Sequence, residues 1–195
     1  MTAEIPLFPL KTVLFPGGRL MLRIFEARYL DMISRCMQLP SNFGVVAIKQ
    51  GTEVGAADTF NVGTLAEIVD WRRERDGLLG ITAAGRTCFE IAQVSRQHDG
   101  LYVGRVMLRD AEAAVPLPQE YEPLASLLRK LLPLVAGDRD VAAAYDDASW
   151  VVYRLAEVLA LPTAAKQLLL ETRDVHARLQ KLRALVRATE GPGRV

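Results

Sequence analysis

The side chains of this 195-residue chain that can act as nucleophiles or bases are few, and their spacing assembles no reaction centre. Its serines are Ser34, Ser41, Ser95, Ser126 and Ser149. None lies in the Gly-x-Ser-x-Gly turn that lifts a nucleophile out of a strand, and none begins a Ser-x-x-Lys pair. Ser126 and Lys130 stand four apart on one helix face, but no glycine-rich run offers the backbone N–H groups of an oxyanion hole. His98 sits beside a hairpin turn and His176 in a charged helix, settings of solvated imidazoles rather than of paired bases. Cys36 and Cys88 form no Cys-x-x-Cys pair, so they lack the clustering of a zinc site and read as buried, reduced thiols. No Gly-Lys dipeptide occurs, which removes the phosphate-cradling loop of an ATPase. Asp138 with Asp140, and Asp146 with Asp147, read as loop and capping residues. No catalytic residue, metal site or cofactor is expected, and the chain reads as a non-enzyme.

Recognition chemistry remains. Trp71-Arg72-Arg73-Glu74-Arg75 places an aromatic ring and three guanidinium forks beside a tight turn, the side-chain types enriched where proteins bind partners. Trp71, Arg72, Arg73 and Arg75 are therefore the candidate partner-binding residues. The plainer reading is a solvated hairpin with Trp71 leaning on the β-structure. A second basic stretch runs from Arg173 to Arg194, with six Arg or Lys against Asp174 and Glu190, and reads as a solvated helix face or an acidic-partner surface. The whole chain carries 24 basic and 23 acidic residues, net +1, so no global field recruits nucleic acid or anionic lipid. No run approaches the ~18 uncharged apolar residues of a membrane span. The N-terminus has no basic leader region, and Pro6 and Pro9 break its apolar run, so a cytoplasmic chain of bacterial type without a signal peptide is expected.

The elements that must carry these residues change character near Val115-Pro116-Leu117-Pro118, which predicts units at 1–114 and 115–195. Before that point the pattern is mostly strand: the proline-interrupted runs 5–10 and 13–15, then 43–49, 62–71, 78–83, 86–97 and 101–108. Asp76-Gly77 and Asp99-Gly100 are hairpin turns. Proline has no N–H to give a ladder, so Pro6 and Pro9 predict an edge or rim strand. Pro16-Gly17 predicts a tight turn with glycine at positive φ. A helix over 26–38 interrupts the strands, with Tyr29, Met32, Ile33 and Cys36 on one face and Pro40 ending it. After Pro118 the pattern is helical: 119–136 with Pro123 and Pro133, a helix capped by Asp146 or Asp147 running to about 160, one opened by Pro162, and one begun by Asp174 with Val175, Leu179, Leu182 and Val186 on a stripe, stopped by Gly191-Pro192-Gly193.

Several stretches resemble the N-terminal, substrate-binding domain of the Lon protease family. Ile5-Pro6-Leu7-Phe8-Pro9-Leu10 is similar to its opening strand, and Phe15-Pro16-Gly17 to its turn. Arg23-Ile24-Phe25-Glu26-Ala27-Arg28-Tyr29 is similar to its helix start. Val62-Gly63-Thr64-Leu65-Ala66-Glu67-Ile68 resembles its Val-Gly-Thr-x-Ala-x-Ile strand. Gly85-Arg86-Thr87-Cys88-Phe89 loosely matches its Gly-x-x-Arg-Phe turn, with the arginine displaced. Lys166-Gln167-Leu168-Leu169-Leu170-Glu171 and Arg178-Leu179 are similar to its helical part, so the likeness covers about 5–187.

This resemblance implies an α+β fold: a PUA-like pseudo-β-barrel with one inserted helix, followed by an α-helical bundle, together one Lon N-terminal domain. The family's ATPase and peptidase modules have no counterpart here. It also implies a non-catalytic module that recognises protein or unfolded polypeptide, or docks onto a partner enzyme. The alternative is an RNA-binding module of PUA-like fold. The signature residues Pro9, Phe15, Pro16, Gly17, Arg23, Phe25, Glu26, Arg28 and Tyr29 read as structural. Pro9, Pro16 and Gly17 shape the chain's entry, Phe15 and Phe25 fill the core, and Arg23, Glu26 and Arg28 form local ion pairs. Oligomeric state is left open.

Overall fold

Strand β1 (Thr2–Leu10) runs between two neighbours, parallel to β3 (Phe43–Gly51) and antiparallel to β6 (Tyr102–Leu108). It is therefore an interior strand, not the edge that its prolines predict. Each proline nevertheless has one open side. Pro6 pairs with Val103 of β6 before the β3 ladder begins at Leu7, and Pro9 pairs with Val46 of β3 past the end of the β6 ladder at Leu7. A missing N–H costs nothing where no second strand waits for it.

The computed structural model describes residues 1–39, 41–53, 57–136 and 143–190. Pro40, Asp138, Asp140, Arg194 and the Gly191-Pro192-Gly193 stop lie outside these. The described residues form a mixed α/β fold with a six-stranded sheet and five α-helices. The chain divides into two units, Met1–Ala111 and Glu112–Val195.

In the first unit, β4 (Ala57–Arg73) and β5 (Leu79–Arg96) are long, and the strand order is β2-β5-β4-β3-β1-β6, with β2 spanning Arg19–Ile24. A further pairing of β5 with β6 closes β5-β4-β3-β1-β6 into a ring. Gly85 does not break the chain into two strands, as its position in the sequence suggests. Instead β5 runs through it and changes partner, pairing with β2 over 79–84 and with β6 from Phe89 onward. At that switch Gly17, with φ 71°, donates to Gly85 O at 2.9 Å while Gly85 donates to Gly18 O at 2.8 Å. Gly18 also donates to Phe15 O at 2.9 Å, so Phe15-Pro16-Gly17-Gly18 is the expected tight turn, with positive φ where only glycine is unstrained. A methyl on Gly85 would run into the backbone of Phe15.

Two cores result. Ile5, Leu7, Val46, Leu65, Phe89 and Val106 cluster from β1, β3, β4, β5 and β6. The second core includes Phe8, Leu14, Ile24, Phe43 and Ile81, against which α1 (Ala27–Gln38) sets Tyr29, Met32, Ile33 and Cys36, its predicted face. Phe8 stacks on Tyr29 with ring centroids 4.0 Å apart. Aromatic pairs of this kind add about 1 kcal/mol to the area they bury.

In the second unit, a 3₁₀ turn (Gln119–Tyr121) leads into α2 (Glu122–Ala136), followed by α3 (Ala148–Val158), α4 (Thr163–Glu171) and α5 (Val175–Glu190). Pro123 falls in the first turn of α2, where a missing N–H is harmless. Asp147 caps α3 by accepting from Trp150 N at 2.8 Å, and Asp174 accepts from Ala177 N at 2.7 Å at the start of α5. Helix α3 packs against α2, α4 and α5, burying Val151, Val152, Leu155 and Ala156.

Candidate interaction surface

Beyond Gly85 the sheet narrows to β2, β5 and β4, because β3 pairs with β4 only as far as Ala66. The register of this three-stranded tip decides which side chains meet. Arg23, Gly80 and Arg72 form one row, Met21, Thr82 and Asp70 another, on the same face. Leu22, Ile81 and Trp71 form a row on the opposite face. The predicted Trp71–Arg75 constellation is therefore split. Arg72 and Arg75 help line a groove of about 510 Å³ with Met21, Arg23, Glu74 and Asp76, while Trp71 turns to the other side.

Within the groove, Arg72 donates to Glu74 Oε1 at 2.8 Å and Arg23 pairs with Asp76. Gly80 makes this possible, since a side chain there would strike the Glu74 carboxylate. These pairs are exposed and contribute only ~0–1 kcal/mol each, so they orient the tip more than they stabilise it. Arg19, Arg73 and Arg75 have no acidic partner among the described residues. Trp71 shares its row with Leu22 and Ile81 yet is 59% exposed, and Met21, Phe25 and Val69 are exposed as well. Met21 and Arg19 are not among the candidate residues, and no element is predicted over 19–24. Its alternation of Arg and apolar residues is nevertheless the period-two signal of a half-exposed strand.

The signature residues separate into two groups. Pro9, Phe15 and Tyr29 are buried and Pro16-Gly17 makes its turn. Arg28 is buried as well, donating to Gly100 O at 2.9 Å, pairing with Glu26 at 2.7 Å and lying 4.6 Å from the Tyr29 ring centroid. Burial pushes the Tyr29 hydroxyl up to about 12, with the Arg28 charge acting against it, so this tyrosine stays protonated and inert. Burial likewise raises the Cys36 thiol. Phe25 corrects the expectation that it fills the core: it follows the last β2 residue and stands 60% exposed. Arg23 pairs not locally but across to Asp76.

In the basic C-terminal stretch Arg173 and Arg187 are exposed, as a solvated face requires, but one residue departs from it. Arg178 is fully buried. It donates to Glu112 Oε1 at 2.6 Å and Oε2 at 2.8 Å, to Thr172 O at 2.7 Å and to Ser149 Oγ at 3.1 Å, and lies 4.6 Å from the Tyr153 ring centroid. Tyr153 and Ser149 also donate to the Glu112 carboxylate, each at 2.8 Å. Burial works to raise the Glu112 carboxyl, but the hydrogen bonds and charge of Arg178, with the two hydroxyls, outweigh it and hold the group below the usual carboxylate range. Arg183 pairs with Glu120 at 2.9 Å. Among the described residues no helix is long and apolar enough to cross a membrane.

Comparison with known proteins places this geometry. Residues 4–188 match the family described as the ATP-dependent protease La (LON) substrate-binding domain. A crystal structure of a Lon N-terminal domain protein from Xanthomonas campestris superposes with a TM-score of 0.80 at 34% identity, covering 93% of this chain and 98% of that one. Protein cereblon of Xenopus tropicalis is 31% identical over 133 residues, 66% of this chain and 29% of cereblon. The Lon protease of Anaeromyxobacter dehalogenans is 25% identical over 189 residues, 91% of this chain and 22% of that protease. The chain thus spans less than a third of the length of these two relatives.

Proposed function

Since the chain belongs to the Lon substrate-binding domain family, we propose that it is a non-catalytic cytoplasmic module that binds polypeptide, as a substrate segment or part of a partner enzyme, through the β2-β5-β4 tip. The observation that carries this reading is the exposure of Trp71, Val69 and Met21 on the two faces of the three-stranded tip and of Phe25 just beyond it, together with arginines that have no acidic partner among the described residues. Large exposed apolar side chains rimmed by arginine are the composition of a binding surface. The same reading takes the first unit as a PUA-like pseudo-barrel, supported by the closed ring, and the second as a bundle, supported by the packing of α3 against its neighbours. The near balance of 24 basic and 23 acidic residues weighs against RNA, whose phosphates dominate its affinity for proteins.

Fluorescence anisotropy with a labelled, permanently unfolded polypeptide tests the reading. Trp71→Ala is expected to weaken binding about tenfold, as truncation of an interface aromatic does, with the circular dichroism spectrum unchanged. Absence of binding to every unfolded polypeptide tried, or binding of structured RNA that Arg75→Ala abolishes, would overturn it.

A further inference from the structure

The tip has two strand edges, and they differ. On the β4 edge, a bulge between Ile68 and Asp70 breaks the register, and the Trp71 N–H is already taken by Asp70 Oδ1 at 2.8 Å. Bulges and blocked donors are how proteins close an edge to further pairing. On the β2 edge neither device is present. Arg19–Ile24 pairs with 79–84 of β5 in unbroken register and contains no proline.

The direction of the free groups follows from alternation. Gly85 N donates to Gly18 O, and hydrogen-bonding direction repeats every second residue along an antiparallel pair. The backbones of Leu20, Leu22 and Ile24 therefore turn toward β5, and those of Arg19, Met21 and Arg23 turn outward. The same count along β5 leaves the Trp71 N–H pointing away from β5, where Asp70 receives it. No strand pairs with the outer edge of β2 among the described residues.

We propose that this edge takes an added strand from an extended polypeptide whose alternate residues read acidic, apolar, acidic. The inference rests on the polypeptide-binding reading above and specifies its chemistry. An incoming strand would gain main-chain bonds to Arg19, Met21 and Arg23, the mode of recognition in which backbone supplies affinity and alternate side chains supply choice. Its side chains on the exposed face would lie opposite Arg19, Met21 and Arg23, so carboxylates flanking one apolar residue match the row. Arg75, which lines the adjacent groove and has no acidic partner among the described residues, extends the positive field. A second copy of the chain fits worse: two β2 strands paired about Met21 set Arg19 of one opposite Arg23 of the other, at both ends of the ladder.

Amide hydrogen exchange on the intact chain tests this, using a capped Glu-Thr-Val-Thr-Glu peptide, its Lys-for-Glu counterpart, and the Glu peptide N-methylated at alternate residues. The Glu peptide should slow exchange at Arg19, Met21 and Arg23 by at least about tenfold, while Leu20, Leu22 and Ile24 are protected beforehand. N-methylation and the Lys exchange should each weaken binding by about tenfold or more, and Arg19→Glu should reverse the charge preference. Binding of unfolded polypeptide that leaves the three amides unchanged, or equal binding of the Glu and Lys peptides, overturns the added strand but spares the polypeptide-binding reading. Failure to bind any polypeptide overturns both. Protection of the same amides without peptide, rising with protein concentration, replaces the acidic strand with a second copy.

Discussion

Replacing Arg178 with methionine is expected to destabilise the helical unit by about 3 kcal/mol, the lower end of the cost of breaking a buried ion pair by removing one partner. The lower end applies because the Glu112 side chain keeps 38% of its surface in water. Methionine fills much of the volume but leaves the Glu112 carboxylate with only the two hydroxyls and strips a donor from Thr172 O. The chain has two tryptophans, one in each unit, so Trp71→Phe leaves Trp150 of α3 to report on the helices alone. Urea unfolding followed at Trp150 should show the lowered midpoint, and a midpoint within error of the parent would refute the account. The unit-specific probe matters because two units need not unfold as one.

The same pair makes the helical unit sensitive to acid. Glu112 is held below its unfolded value near 4.3, so its contribution to stability is complete above that pH and is lost as pH falls through the depressed folded value. Between pH 7 and pH 3 the Trp150-detected midpoint of the parent should fall more steeply than that of Arg178→Met. Parallel pH profiles would show that other carboxylates govern the loss.

Phe89→Ala is expected to cost the β unit about 4 kcal/mol, the loss of a fully buried ring plus the cavity it leaves. The ring occupies a hollow made by two glycines: a methyl on Gly44 or on Gly63 would lie 2.6 Å from Phe89 Cζ. Gly44→Ala alone should therefore destabilise by crowding Phe89, Leu7 and Ile5, by about 1–3 kcal/mol. In the Phe89→Ala background that penalty should shrink, since the nearest contact is gone and the ends of Leu7 and Ile5 can shift into the space it leaves. Gly63→Ala should gain no such relief, because its methyl also meets the Val45 carbonyl at 2.5 Å. Thermal unfolding of the parent, the two single variants and the double variant provides the double-mutant cycle, and strict additivity of Gly44→Ala and Phe89→Ala would rule out a shared hollow.

Much of the helical unit was legible before any coordinates. Asp147 and Asp174 cap where an Asx side chain before an apolar stripe should, and Leu179, Leu182 and Val186 bury as their spacing requires. Arg178 was not legible, because its place in a basic helix looks like that of its solvated neighbours and its partner stands 66 residues away. In the candidate site, the hairpin position of Trp71–Arg75 could be read from Asp76-Gly77, and the division of Trp71 from Arg72 from strand alternation, but not which face each takes. That depends on the bulge between Ile68 and Asp70, which shifts the register by one residue and exchanges the faces.

Residue chemistry by itself determined the local features: the glycine turn at Phe15–Gly18, the helix caps and the apolar stripes. Each depends on neighbours within a few positions, where backbone sterics and hydrogen-bond reach decide the outcome. Only the tertiary structure decided that β1 is interior despite two prolines, that β5 serves two partners across Gly85, that Phe25 faces solvent, and that β2 has an open edge. Those depend on which strands lie side by side, a choice made by the whole core rather than by any one segment.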